Sequence, residues 1–125
     1  MIAVDTSSLI AYFAGEEGMD INAVHLGLEQ KIAVLPPVVL SEILSDPKLP
    51  HSLMMDLKGI PLLDVLDDYW ERTGILRSKI LKNGHKARLA DSLIAQICID
   101  HDVPLITRDK DFRNFVRIGG LRLFE

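Results

Sequence analysis

Short apolar runs alternate with helical patterns along the whole of this 125-residue chain. Between the runs, apolar residues recur at the three- to four-residue spacing of amphipathic helices. Strands that alternate with helices form βαβ units, whose strands pair in parallel and are covered by helices on both faces. The pattern predicts an α/β fold with three layers, α/β/α, around a central, mostly parallel sheet of four to five strands. The predicted strands are residues 2–4, 31–35, 60–65, 103–107 and 121–124.

The length of the chain allows one hydrophobic core and is too short for two. We therefore expect residues 1–125 to form a single domain. No apolar run approaches the ~20 residues that a membrane span needs, and residues 2–4 lack the basic flank of a signal peptide. Cys98 is the only cysteine, which excludes an intramolecular disulfide and fits a reducing compartment. These features predict a soluble, cytoplasmic protein with no membrane partner.

Acidic side chains are predicted to meet at one edge of the sheet. Asp5 ends the first strand, Asp109 follows the fourth, and Glu42 lies on the helix after the second. The carboxyl ends of parallel strands share an edge, where ligands gather. Asp91 lies in the first turns of the predicted helix 86–101 and borders its apolar face, where an unpaired acid costs stability. We expect these four carboxylates to converge.

Converging carboxylates raise one another's pKa, and a bound divalent cation relieves their repulsion. Oxygen ligands, with no His or Cys at matching positions, predict a hard ion, Mg²⁺ or Mn²⁺. Such an ion activates water and stabilises a leaving oxygen, which are the requirements of phosphodiester hydrolysis. The hydroxyls of Thr6 and Thr107 are candidates to hold the carboxylates or their waters.

Each acid taken alone also has an ordinary structural explanation. Asp5 fits a helix cap or a turn residue, Glu42 fits a solvated helix acid, and Asp109 with Asp111 fits a turn. The four residues together, at strand ends of one architecture, favour the metal site.

Basic side chains concentrate in one stretch of the chain, although the formal net charge of the whole chain is −4. Phosphate binding requires such cations, so one face of an acidic protein can still bind a nucleic acid. The turn that carries Lys82 and Lys86 leads through Arg88 into the helix of Asp91. We expect these three residues to contact the phosphates of a nucleic acid, although such a turn is also common as a solvated loop. The stretch comprises Arg72, Arg77, Lys79, Lys82, Lys86 and Arg88.

Four acidic segments of the chain resemble, in content and order, the acidic blocks of PIN-domain nucleases. By this resemblance Asp5, Glu42, Asp91 and Asp109 are the catalytic acids. Asp5, Asp91 and Asp109 are the implied metal ligands, with Asp111 as an additional or alternative one. The resemblance implies a PIN-like fold and a Mg²⁺- or Mn²⁺-dependent endoribonuclease. The segments are residues 2–7, the Glu42 helix after Pro36-Pro37, residues 89–95 and residues 105–112.

The size of the chain is similar to that of VapC toxins, the ribonuclease halves of VapBC toxin–antitoxin pairs. That resemblance implies an RNA substrate, a homodimer and a small VapB-type antitoxin as inhibitor. We expect the antitoxin to place an Arg or Lys among the acids. An amphipathic antitoxin helix is expected to dock near Leu9, Ile10, Tyr12 and Phe13.

Two other classes of function remain open from the sequence. A receiver domain of phosphorelay signalling has similar length and architecture, but it requires an acidic pair after the first strand and an acceptor Asp after the third. Here Asp5 is single, and Asp64 lies within the third predicted strand. A PIN fold that is a binding module without activity, or a nuclease that is not a toxin, is the other alternative. The presence of all four acids argues against a silent module.

Overall fold

The sheet is parallel, and its central strand ends at Asp5. The computed structural model describes all 125 residues and contains three strands, β1 (Ile2–Val4), β2 (Ala33–Val34) and β3 (Leu105–Ile106). Their order is β2-β1-β3, and β1 pairs in parallel with both neighbours. Asp5 therefore leaves the sheet between two flanking strands.

The predicted count of four to five strands is too high, because two of the predicted strands make only single bridges. Leu62 forms a parallel bridge with Leu35, and Leu123 forms one with Leu105. Both segments lie at sheet edges, where only one side offers a partner. In residues 60–65 only Ile60 and Leu63 are buried, so little apolar burial holds that segment extended, and Pro61 has no N–H to donate.

Seven helices and a 3₁₀ turn surround the sheet. The sequence pattern predicts one short helix over residues 110–115, whereas the chain forms a 3₁₀ turn there and then a helix that continues to Gly119. Pro37 occupies the first turn of its helix, where its missing N–H is tolerated. The helix predicted from Lys86 begins three residues later, at Leu89. The helices are α1 (Thr6–Phe13), α2 (Met19–Glu29), α3 (Pro37–Leu44), α4 (His51–Lys58), α5 (Tyr69–Lys82), α6 (Leu89–His101) and α7 (Arg113–Gly119), with the 3₁₀ turn at Lys110–Phe112.

Both faces of the sheet are covered. Successive residues of a strand point to opposite faces, and Ala3 and Val4 are both completely buried. One hydrophobic cluster of 27 buried residues contains the strands and the inner face of α6. The α/β fold with helical layers on both sides is therefore confirmed.

Cys98 of α6 is buried, and burial raises the pKa of its thiol well above the ordinary range, so it is an unreactive core residue. None of the helices combines the length and the hydropathy that crossing a bilayer requires.

Candidate functional site

Asp5 is held by hydroxyl groups from two different parts of the chain. It stands at the N-terminus of α1, but its side chain makes no capping hydrogen bond. Its Oδ2 instead accepts from Ser7 Oγ at 2.7 Å and from Thr107 Oγ1 at 2.8 Å. The residue is only 4% exposed; burial raises the pKa of its carboxyl, and the hydrogen bonds oppose that rise. A buried acid at the end of the central strand is therefore not explained as a helix cap.

Burial and the other acids of the site raise the pKa of the Asp91 carboxyl. It lies half-buried in the first turn of α6. Its pKa is raised to about 6, first by burial and then by the charges of Asp109 and Asp5, with a smaller contribution from Glu42. Arg88 opposes the shift. The structure thus brings together the four acids that the sequence places on separate elements.

The tightest group of carboxylates comprises Asp91, Asp109 and Asp111, each of which offers an oxygen within 4.8 Å of the others. Asp109 Oδ1 accepts from the backbone N–H of Asp111 at 2.9 Å, so the turn interpretation of these two acids is also correct. Asp5 lies outside this group but influences the pKa of Asp91. Three carboxylates this close, none of them in an ion pair, form a donor set that suits a hard divalent cation.

Thr6 and Thr107 both hold acids of the site. Thr107 Oγ1 donates to Asp5 and accepts from the backbone N–H of Asp109 at 3.0 Å, so it links two of the acids. Thr6 Oγ1 donates to Glu42 Oε1 at 2.7 Å. Glu42 is exposed and contributes the smallest of the acidic effects on Asp91. It therefore lies at the rim of the cluster.

Ser7 is a site residue that the sequence analysis missed. Besides donating to Asp5, its Oγ lies 3.4 Å from Thr107 Oγ1 and accepts from the backbone N–H of Arg108 at 3.4 Å. Short polar side chains commonly bond to polar groups two residues away. The Asp-Thr-Ser sequence at 5–7 contained that signal.

Asp20 is another acidic residue near the site, and its charge is neutralised by an arginine of the protein. Arg108 binds it with two N–H groups, Nε to Oδ2 at 2.8 Å and Nη2 to Oδ1 at 3.1 Å. Ser8 Oγ donates to the same carboxylate at 2.9 Å. The hydrogen bond from Arg108 is the main reason why the pKa of Asp20 is lowered. No local pattern pairs Asp20 with Arg108, because 88 residues separate them.

Some side chains of the basic stretch bind partners within the protein, and others form no ion pair. Arg72 forms an ion pair with Asp100, and Arg77 Nε donates to the backbone oxygen of Ala87 at 2.7 Å. Of the three residues predicted to contact RNA, Lys82, Lys86 and Arg88, none forms an ion pair and all are exposed. Arg88 lies at the N-terminus of α6 and lowers the pKa of Asp91.

Comparisons with known proteins agree on the family. Residues 2–118 match the PIN domain. The chain is 31% identical over 130 residues to the VapC ribonuclease Mb1587 of Mycobacterium bovis, with 98% of this chain and 96% of that protein covered. The ribonuclease VapC11 of Mycobacterium tuberculosis gives the same identity and coverage.

Two solved structures share the fold. The crystal structure of VapBC2 from Rickettsia felis bound to a DNA fragment from their promoter superposes with a TM-score of 0.75 at 22% identity, covering 99% of this chain and 98% of the other. The structure of FitAcB from Neisseria gonorrhoeae gives a TM-score of 0.73 at 20% identity, covering 100% and 97%.

Proposed function

This chain belongs to the PIN-domain family and, within it, to the VapC ribonucleases, and from that premise we propose that it is a metal-dependent endoribonuclease and the toxin of a type II toxin–antitoxin pair. The observation that carries the proposal is the half-buried Asp91 carboxyl, surrounded by the charges of Asp109, Asp5 and Glu42. Family membership excludes the receiver-domain alternative. We further propose that residues 1–125 act as one nuclease domain in the cytoplasm.

We propose that Asp91, Asp109, Asp111 and Asp5 hold Mg²⁺ or Mn²⁺. When bound, such an ion lowers the pKa of water and stabilises negative charge on phosphoryl oxygens. Thr107 keeps two of these acids in place through the hydrogen bonds that join Asp5 to Asp109. Glu42 is oriented by Thr6, and its other oxygen is available at the rim to accept a proton from water or to hold that water.

We expect neither a serine nor a cysteine to attack the substrate itself. The hydroxyl of Ser7 donates to Asp5, and Cys98 is buried with a raised thiol pKa. A covalent intermediate on Ser or Cys is therefore not expected. We expect water to attack the RNA phosphodiester directly, leaving a 5′-phosphate and a 3′-hydroxyl.

The direct test incubates the purified protein with end-labelled RNA in Mn²⁺ or Mg²⁺ and in EDTA. Cleavage is expected only with the metal, and mapping the chemistry of both new ends identifies the leaving group. Cleavage that continues in EDTA and leaves a cyclic phosphate would contradict the proposed mechanism.

An antitoxin partner is proposed to cover the acids and the neighbouring surface of α1. Ile10 is exposed, and the rings of Tyr12 and Phe13 pack edge to face with their centroids 5.5 Å apart. Leu9 is completely buried, so its predicted part in antitoxin docking is wrong and it belongs to the core. A basic side chain of the partner would find unpaired carboxylates at Asp91 and its neighbours.

Toxicity is tested by expressing the chain alone in a bacterium and counting survivors. Asp5→Asn is the control, because it removes the charge of the buried acid while keeping its size. Co-expression with a VapB-type antitoxin encoded beside the gene should restore growth. Normal growth in the presence of folded, wild-type protein would count against the toxin assignment and leave the nuclease proposal standing.

A homodimer is proposed on the face around Trp70. This indole is 65% exposed, and Val65 and Leu66 beside it are exposed as well. A shallow apolar hollow lined by Val38, Val65 and Leu93 adjoins it, and large aromatic side chains are typical of the centres of interfaces. Sedimentation of the wild type and of Trp70→Ser tests this: the variant should shift towards the monomer.

A further inference from the structure

A groove runs along the outer surface of α5 to the beginning of α6. It has a volume of about 420 Å³. Gly74 and Ser78 lie one helical turn apart, and their small side chains keep this part of α5 open; no atom lies within 4 Å of the position that a Cβ on Gly74 would take. Its lining residues are Gly74, Arg77, Ser78, Leu81, Lys82 and Leu89.

The cations of this groove have no acidic partner in the protein. Arg72, Arg108 and Arg122 each pair with an Asp, whereas Arg77 and Lys82 form no ion pair. Arg77 is nevertheless held in place, because its Nε donates to the backbone oxygen of Ala87. That bond leaves both Nη groups of Arg77 free to donate to a ligand.

The groove lies next to the acidic site. Leu89 lines the groove and is the first residue of α6, and Asp91 lies in the same first turn of that helix. Arg77 is bonded to Ala87, in the loop that leads directly into α6. A chain bound in the groove would therefore extend towards Asp91.

A nuclease with this charge distribution needs a separate place to hold its substrate. The carboxylates of the site repel a polyanion, and the protein is acidic as a whole. Binding must then come from local cations next to the acids. A guanidinium with two free N–H groups matches the geometry of a phosphate, and exposed leucines offer apolar contacts to bases that are not paired in a duplex.

We infer that this groove binds the backbone of single-stranded RNA beside the bond that is cut. Arg77 and Lys82 contact phosphate oxygens, and Ser78 is an additional donor. Leu81 and Leu89 lie against the bases. The inference rests on the proposed ribonuclease function and adds the place where the substrate lies. The sequence analysis predicted Lys82 as an RNA contact, and the inference adds Arg77 and Ser78.

Binding is tested by fluorescence anisotropy with a short, labelled single-stranded RNA of mixed sequence in Mg²⁺. An Asp91→Asn background suppresses cleavage during the measurement. In that background Lys82→Glu is compared with Lys58→Glu, because both lysines are exposed in the last turn of a helix and both changes alter the net charge equally. Lys82→Glu should weaken binding on the order of tenfold, and Lys58→Glu should leave it unchanged.

A salt titration distinguishes the loss of one phosphate contact from a general weakening of the electrostatic attraction between protein and RNA. Lys82→Ala should reduce the slope of log affinity against log salt by about 0.7, the value for one phosphate contact on a single strand. Lys58→Ala should keep the slope of the parent. Equal effects of the two lysine changes, or no RNA binding by the parent, would overturn the inference.

Cleavage kinetics in the wild-type background provide an independent readout. Lys82→Ala should raise KM severalfold and leave kcat within about twofold, because the lysine holds the substrate and does not touch the reacting atoms. RNA that is bound in the groove but never cut would refute the proposed activity and leave the groove standing. If Lys82→Glu alters the sedimenting mass but not RNA binding, the groove is a protein interface and the inference is wrong.

Discussion

Asp20 and Asp91 are both partly buried acids beside the segment that follows β3, yet their surroundings are opposite. Asp20 receives two N–H groups from Arg108, which lower its pKa. Asp91 instead lies near Asp109, the residue that follows Arg108 in the chain, and burial together with the charges of Asp109 and other acids raises its pKa to about 6. A carboxylate with a dedicated arginine stabilises the fold, whereas one surrounded by carboxylates is left for a ligand from outside.

The largest expected effect comes from removing the charge of the unpaired acid. Asp91→Asn should lower turnover at saturating Mn²⁺ by about a hundredfold or more, because the ion loses one of its oxygen ligands. Single-turnover cleavage of labelled RNA measures it. Asp102→Asn is the matched control, with the same chemical change at the exposed opposite end of α6, and it should cleave like the wild type. Wild-type turnover by the Asp91 variant would remove it from the site.

Removing Arg108, the partner of Asp20, should mainly lower the stability of the fold. Arg108→Ala leaves Asp20 without its partner and should lower the melting temperature by several degrees, as measured by calorimetry without metal. Arg122→Ala breaks a more exposed pair with Asp102, and exposed pairs contribute little, so its melting temperature should barely change. Equal melting of the two variants would mean that the Asp20 pair adds nothing to the fold.

In the metal-free protein, replacing Asp91 should raise the melting temperature, whereas replacing Arg108 should lower it. Replacing one charge of a repelling cluster by Asn relieves repulsion, so metal-free Asp91→Asn should melt a few degrees above the metal-free wild type at neutral pH. Adding Mn²⁺ should raise the melting temperature of the wild type and have little effect on the variant. Thermal melts with EDTA and with Mn²⁺ check both statements, and an identical shift in the two proteins would contradict the ligand role.

The smallest expected effect is the pH dependence of the Asp20 pair. The pKa of Asp20 in the folded protein lies below its ordinary value of 3.8, so its ionised form is stabilised by folding. That contribution is complete above the ordinary value and is lost as pH falls through the lower, folded value. The difference in melting temperature between the wild type and Asp20→Asn should be constant near neutral pH and shrink below about pH 4. A difference that persists unchanged into strong acid would show that the pair does not depend on charge.

Hydrophobic periodicity was sufficient for most of the fold. The α6 pattern predicted a helix with Asp91 at its start, and the apolar runs placed Asp5 and Asp109 after strands. The edge strands were predicted less well. A run such as residues 60–65 has the composition of a strand, but its pairing depends on how much of it the core buries, and here only Leu62 bridges to a neighbour.

The sequence by itself determined the acidic edge, because strand and helix patterns are local and the carboxyl ends of parallel strands share one side of a sheet. Only the tertiary structure decided which charges are neutralised. Arg108 meets Asp20 across 88 residues, Leu9 turns into the core, and Arg77 remains unpaired while Arg72 meets Asp100. Such pairings depend on how elements far apart in the chain pack together, and no spacing along the sequence encodes them.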